Sequence, residues 1–107
     1  MSKYNADWLD KRLKNPKIRE VTQIVLKNLK IDTLNPDIFK KYTKLKIIDL
    51  STNNIKCIDP SIFQTLSKLQ NINLSFNHIH NISNKTFQNL INLVTIELTH
   101  NNIINIE

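Results

Sequence analysis

From Val21 to the last residue, apolar and polar positions repeat every 24 residues with no insertion or deletion. The first position of each block is Val21, Leu45, Leu69 and Leu93, the fourth is Ile24, Ile48, Ile72 and Ile96, and the sixth is Leu26, Leu50, Leu74 and Leu98. Apolar fourth and sixth positions alternating with polar neighbours are the pattern of a strand with one buried face. Short strands are therefore predicted over 23–27, 47–51, 71–75 and 95–99. The ninth position, Leu29, Asn53, Asn77 and Asn101, breaks the alternation, and Ile31, Ile55, Ile79 and Ile103 follow two residues later. Leu34, Ile58, Ile82 and Ile106, then Phe39, Phe63 and Phe87, then Tyr42, Leu66 and Leu90 complete the unit. Asn35-Pro36, Asp59-Pro60 and Ser83-Asn84 read as helix starts, each an N-cap side chain and twice a proline where a helix needs no N–H. One such unit can bury its apolar face only by stacking on the next. The blocks 21–44, 45–68, 69–92 and the partial 93–107 thus predict a solenoid.

In the form LxxLxLxxNxI followed by a late phenylalanine, residues 21–107 resemble the 24-residue subtype of the leucine-rich repeat family. The resemblance implies an α/β fold: a right-handed solenoid with a short parallel sheet on the concave side and short helices or 3₁₀ turns on the convex side. It also implies a structural ladder of Asn53, Asn77 and Asn101, which would bond the backbone of adjoining coils, and a stacked spine of Phe39, Phe63 and Phe87. Two features depart from the family. Leu29 stands in the first ladder slot, so the first coil is expected to turn differently, and the cysteine-rich caps of extracellular relatives are missing.

A solenoid needs covers at its ends, because a bare edge leaves strand groups unpaired and half a core open. Residues 1–20 are predicted to form a helical cap, started by Asn5 or Asp7, running through Leu13 and stopped by Asn15-Pro16. Trp8, Leu9 and Leu13 fall close to one face of that helix and would lie on the Val21 coil. At Glu107 the sequence stops short of a phenylalanine-bearing return segment, leaving Leu98, Ile103 and Ile106 partly open. Three explanations stand: a fragment of a longer array, a polar lid of Glu97, Asn101, Asn102 and Glu107, or a homodimer through this C-terminal edge.

Composition narrows the function classes. Leu, Ile, Val and Phe fill 37 of 107 positions, enough for one folded domain. There is no glycine, so phosphate-cradling loops, dinucleotide fingerprints and nucleophile elbows are set aside. A single cysteine, Cys57, makes no internal disulfide, and no apolar run is long enough to span a bilayer. With a polar first segment this points to a cytoplasmic protein with no membrane association. The net charge of +6 is uneven: residues 1–46 hold 12 Lys and Arg against 5 Asp and Glu, whereas residues 47–107 hold 3 against 4. Nucleic acid or another acidic surface is therefore a rival partner for the basic end, although no basic motif or set of stacking aromatics accompanies the charge.

His78, His80 and His100 are the only ready catalytic bases, and a metal site among them has no cysteine and few carboxylates to help it. Asp49 and Glu97 share an outward strand position two coils apart, roughly 9–10 Å, a separation some glycosidases use. An open sheet offers no cleft, so no enzyme, metal or cofactor is expected. Protein recognition is the leading function, through the outward strand residues Gln23, Ile47, Asn71 and Thr95, then Val25, Asp49, Asn73 and Glu97, then Lys27, Ser51, Ser75 and Thr99. The adjoining position adds Asn28, Thr52, Phe76 and His100, with Phe76 and His100 counted in the binding surface and folding of the Phe76 ring against the turn as the alternative. Val25, Ile47 and Phe76 would supply an apolar centre inside a polar rim. Four strands offer on the order of 300 Å², against roughly 800 Å² per partner in a standard interface, so flanking loops or further coils must contribute. The two rivals are the basic adaptor acting through residues 1–46 and a repeat fragment of a larger effector.

Overall fold

The computed structural model describes residues 2–14 and 17–106, with the side chains of Asn105 and Ile106 also left aside. The helix stop at Asn15-Pro16, a core role for the Ile106 side chain and a lid role for Glu107 lie outside the described residues. Four three-residue strands, β1 (Gln23–Val25), β2 (Ile47–Asp49), β3 (Asn71–Asn73) and, after a short β4 (Asn81–Ile82), β5 (Thr95–Glu97), carry the repeat. They pair in parallel in the order β1-β2-β3-β5, with Ile24, Ile48, Ile72 and Ile96 side by side. The formal strands are shorter than the five residues the pattern suggests, yet inter-coil bonding runs on: Leu26 N–H donates to Asp49 C=O at 2.8 Å and Asn28 N–H to Ser51 C=O at 3.3 Å. A second, two-stranded sheet pairs β4 with β6 (Asn105–Ile106).

The return segments bend by successive i→i+3 bonds. Their starts are capped by side chains: Asn35 Oδ1 accepts from Asp37 N–H, Asp59 Oδ1 from Ser61 N–H, and Ser83 Oγ from Lys85 N–H. Only the third becomes a 3₁₀ helix, Asn84–Phe87; the two proline-bearing starts remain turns. Phe39, Phe63 and Phe87 stack at ring separations of 6.2 and 6.4 Å. Thr86 stands where the earlier coils have Ile38 and Ile62, and its buried hydroxyl has no hydrogen-bond partner.

The asparagine column explains why the repeat holds. Asn53 Oδ1 accepts from Leu29 and Ile31 N–H, and its Nδ2 donates to the carbonyls of Leu26, Leu50 and Ser51. Asn77 accepts from Ile55 N–H and donates to Leu50, Leu74 and Ser75; Asn101 accepts from Ile79 N–H and donates to Leu74, Leu98 and Thr99. Each amide thus satisfies buried backbone of its own coil and of the preceding one. A coil needs the asparagine of its successor, which is why Leu29 is tolerated. The first coil does turn differently: Lys30 takes a left-handed backbone, φ 57°, with no counterpart in the later coils.

Helix α1 (Ala6–Leu13) closes the first coil. Asn5 caps it by accepting from Trp8 N–H at 2.9 Å, while Asp7 in its first turn and Lys11 and Arg12 in its last complement the helix dipole. Leu9 is fully buried in the shared core, against which Trp8 and Leu13 also pack. Tyr4 bridges Leu34 in parallel, as β6 bridges β4, so the leading segment takes the place of a preceding coil. The Tyr42 hydroxyl donates to Asp10 at 2.7 Å and Lys41 pairs with the same carboxylate at 3.0 Å. Burial pushes the Asp10 carboxyl up, but these two partners outweigh it and hold the group below its ordinary 3.8. Burial and the neighbouring Asp10 push the Tyr42 phenol upward.

Candidate functional site

The outward side chains of the four-stranded sheet form two registered rows, Gln23, Ile47, Asn71, Thr95 and Val25, Asp49, Asn73, Glu97. Gln23, Val25, Thr95 and Glu97 are exposed and the central four are half-buried. Within the first row the Thr95 hydroxyl donates to the Asn71 side-chain oxygen.

The third predicted row needs correction. Lys27 and Thr99 are exposed, but Ser51 and Ser75 are only 5% and 4% exposed. Alternation fails there because the regular strand has already ended. Asp49 Oδ1 accepts from Ser51 N–H and Asn73 Oδ1 from Ser75 N–H, two residues on, turning the chain inward. The ladder amides of Asn53 and Asn77 then bond the serine carbonyls. The serines belong to the shoulder of the sheet, where Ser75 Oγ accepts from Thr99 Oγ1 at 3.1 Å.

One residue later the backbone becomes left-handed in every coil, at Asn28, Thr52, Phe76 and His100, φ 56–60°. Glycine takes this conformation cheaply and asparagine next best. This chain fills it without glycine, and in two coils with aromatic rings. Phe76 is 54% exposed and stacks on His100 at 4.2 Å with the rings 13° from parallel. The ring does not fold back onto the turn. Only Asn28 hinted at this column in the sequence, and the stack was not legible there.

Two shallow hollows open on the face. One, about 260 Å³, is bordered by Ile47, Asp49, Asn71, Asn73, Thr95 and Glu97; the other, about 310 Å³, by Lys27, Thr52, Asn73, Phe76, Glu97 and Thr99. A further depression between return segments, beside Phe63, Gln64 and Gln88, lies away from these residues. The first hollow carries two carboxylates and no basic side chain on a protein of net charge +6. The described ion pairs, Lys11–Asp7 and Lys41–Asp10, lie elsewhere. Nothing on the face resembles an activated nucleophile or a coordinating set, and among the described residues no group of three or more His, Cys, Asp or Glu could hold a metal ion. His100 is engaged in its stack, while His78 and His80 flank the buried Ile79.

The family model for the leucine rich repeat matches residues 19–79 and 67–107, well over half of the chain. The chain belongs to the leucine-rich repeat family. Leucine-rich repeat domains generally mediate protein–protein interaction and are typically noncatalytic. No curated protein matches the chain. Among the described residues no helix is long and apolar enough to cross a membrane.

Proposed function

We propose that this leucine-rich repeat chain is a noncatalytic recognition module whose protein partner docks on the outward face of the sheet, the concave side of a right-handed solenoid. The observation that carries the reading is the composition of that face. Exposed Val25 and Phe76 and half-buried Ile47 are surrounded by Gln23, Asn71, Asn73, Thr95 and Thr99, an apolar centre with a polar rim. The registered strands hold these side chains on backbone fixed from coil to coil, so little ordering is needed on binding. Residues 1–20 are read as the N-terminal cap of the array, with α1 packed on its first coil. Cys57, exposed and free, suits a reducing cytoplasm.

The test is affinity capture with quantitative mass spectrometry, comparing the native chain, a face variant (Val25→Asp with Ile47→Asp) and a rear variant (Gln64→Arg with Gln88→Arg). Partners lost by the face variant and kept by the rear variant support the reading; the reverse contradicts it.

The basic surface of residues 1–46 supports a second reading, an adaptor for nucleic acid or an acidic surface. Lys40, Lys44 and Lys46 are all exposed near the first coil. Such binding would weaken steeply between 50 and 200 mM salt, whereas capture through the apolar face would persist.

A further inference from the structure

The hollow beside Phe76 is the one place on the face where an exposed aromatic ring, an unpaired carboxylate and a strained backbone meet. Phe76 borders it and His100 does not, so one face of the ring is covered by the imidazole and the other is left to the hollow. Glu97, exposed on β5, borders the same hollow, and its carboxylate joins none of the described ion pairs or side-chain hydrogen bonds. Two neighbouring polar side chains are already engaged: Asn73 Oδ1 accepts from Ser75 N–H, and Thr99 Oγ1 donates to Ser75 Oγ.

Resting on the reading of this face as the interface, we propose that the hollow receives an arginine side chain from an exposed segment of the partner protein. The guanidinium plane would stack on the open face of Phe76 while its N–H groups donate to the Glu97 carboxylate, a combination that a planar, delocalised cation meets and a compact ammonium does not. Charge agrees. The adjoining hollow holds Asp49 and Glu97 without a basic residue, which favours a cation and repels phosphate. Lys27, three coils from Glu97, borders the far end, so a single arginine fits better than a basic cluster.

Backbone conformation supports a binding role for the ring. Phe76 at φ 57° occupies a position that asparagine, as at Asn28, holds with less strain. The ring is more than half exposed, so the core gains little from it. If Phe76 served the fold, replacing it would weaken the fold; if it serves recognition, Phe76→Asn should leave the melting temperature unchanged or raise it while removing the site.

The experiment titrates ¹⁵N-labelled protein with three capped tripeptides, Ac-Ala-X-Ala-NH₂ with X arginine, lysine or glutamate, at low salt. The arginine peptide is expected to shift the amides of Phe76, Glu97, Thr99 and His100. It should bind several-fold more tightly than the lysine peptide, and the glutamate peptide should leave those amides in place. Glu97→Gln and Phe76→Asn should each weaken arginine binding roughly fivefold or more. Equal shifts from the glutamate peptide, no shift from arginine, or a Phe76→Asn variant that keeps full binding would overturn the inference. Those results leave the capture comparison of the face and rear variants free to decide the broader reading, because neither Phe76 nor Glu97 is changed in it.

Discussion

The first and last coils are built on the same pattern and buried to different degrees. In the coil 21–44, Ile24, Leu26 and Ile31 are almost completely shielded; in the coil from Leu93 onward, the matching Ile96, Leu98 and Ile103 are half-exposed. The first coil has α1 and Tyr4 on its outer side and Asn53 reaching into it from the second. Among the described residues nothing packs on the outer side of the last, and Ile91, Val94 and Ile104 stand exposed around it. The repeat pattern therefore specifies which side chains face inward, while the neighbouring coil determines how much that orientation stabilises.

The sharpest way to break this comparison is through the ladder. Asn77→Ala strips partners from buried Ile55 N–H and from the carbonyls of Leu50, Leu74 and Ser75, and is expected to cost about 4 kcal/mol. Asn101→Ala removes equivalent bonds that are partly exposed, for about 1–2 kcal/mol. Urea denaturation of both variants measures the difference; equal losses would show that burial does not grade the ladder. Next comes the lid: Leu9→Ala, at a fully buried position, should cost about 3 kcal/mol, whereas the same change at half-exposed Leu98 should cost less than half of that.

Tyr42→Phe is smaller. It removes the hydroxyl donated to Asp10 and should cost about 1–2 kcal/mol at pH 7. Because the folded Asp10 carboxyl lies below its ordinary 3.8, its contribution is present above that pH and fades as pH falls through the lower folded value. Thermal melts of both proteins between pH 7 and pH 2.5 should therefore converge under acid, and a constant gap would contradict the Asp10 linkage. The smallest change runs the other way: Thr86→Ile restores the residue type of Ile38 and Ile62 and removes an unpartnered hydroxyl, raising stability by about 1 kcal/mol in the same urea assay.

These particulars show what a sequence period conveys. Strand register and the inward isoleucines and leucines are legible because identical residues at fixed spacing must meet identical neighbours; the phenylalanine stack came with the family resemblance, and cap chemistry narrowed the helix start to Asn5 or Asp7. Whatever depends on chain direction between repeats is not. Ser51 and Ser75 look like outward strand residues until the Asp49 and Asn73 side chains turn the backbone. Phe76 and His100 read as surface residues with no sign that both sit in left-handed backbone or stack. The β4–β6 pairing escaped notice because Ile82 and Ile106 lie outside the alternating stretch. The face was thus readable as a set of rows, and its hollows were not.

Native-state hydrogen exchange of one backbone position in four coils tests most directly the claim that each coil is completed by its successor. Ile31 and Ile55 N–H, held by Asn53 and Asn77, should exchange slowly, and Ile79 N–H, held by partly exposed Asn101, at an intermediate rate. Ile103 N–H, which receives no asparagine among the described residues, should exchange fastest. Protection of Ile103 equal to that of Ile55 would contradict the account.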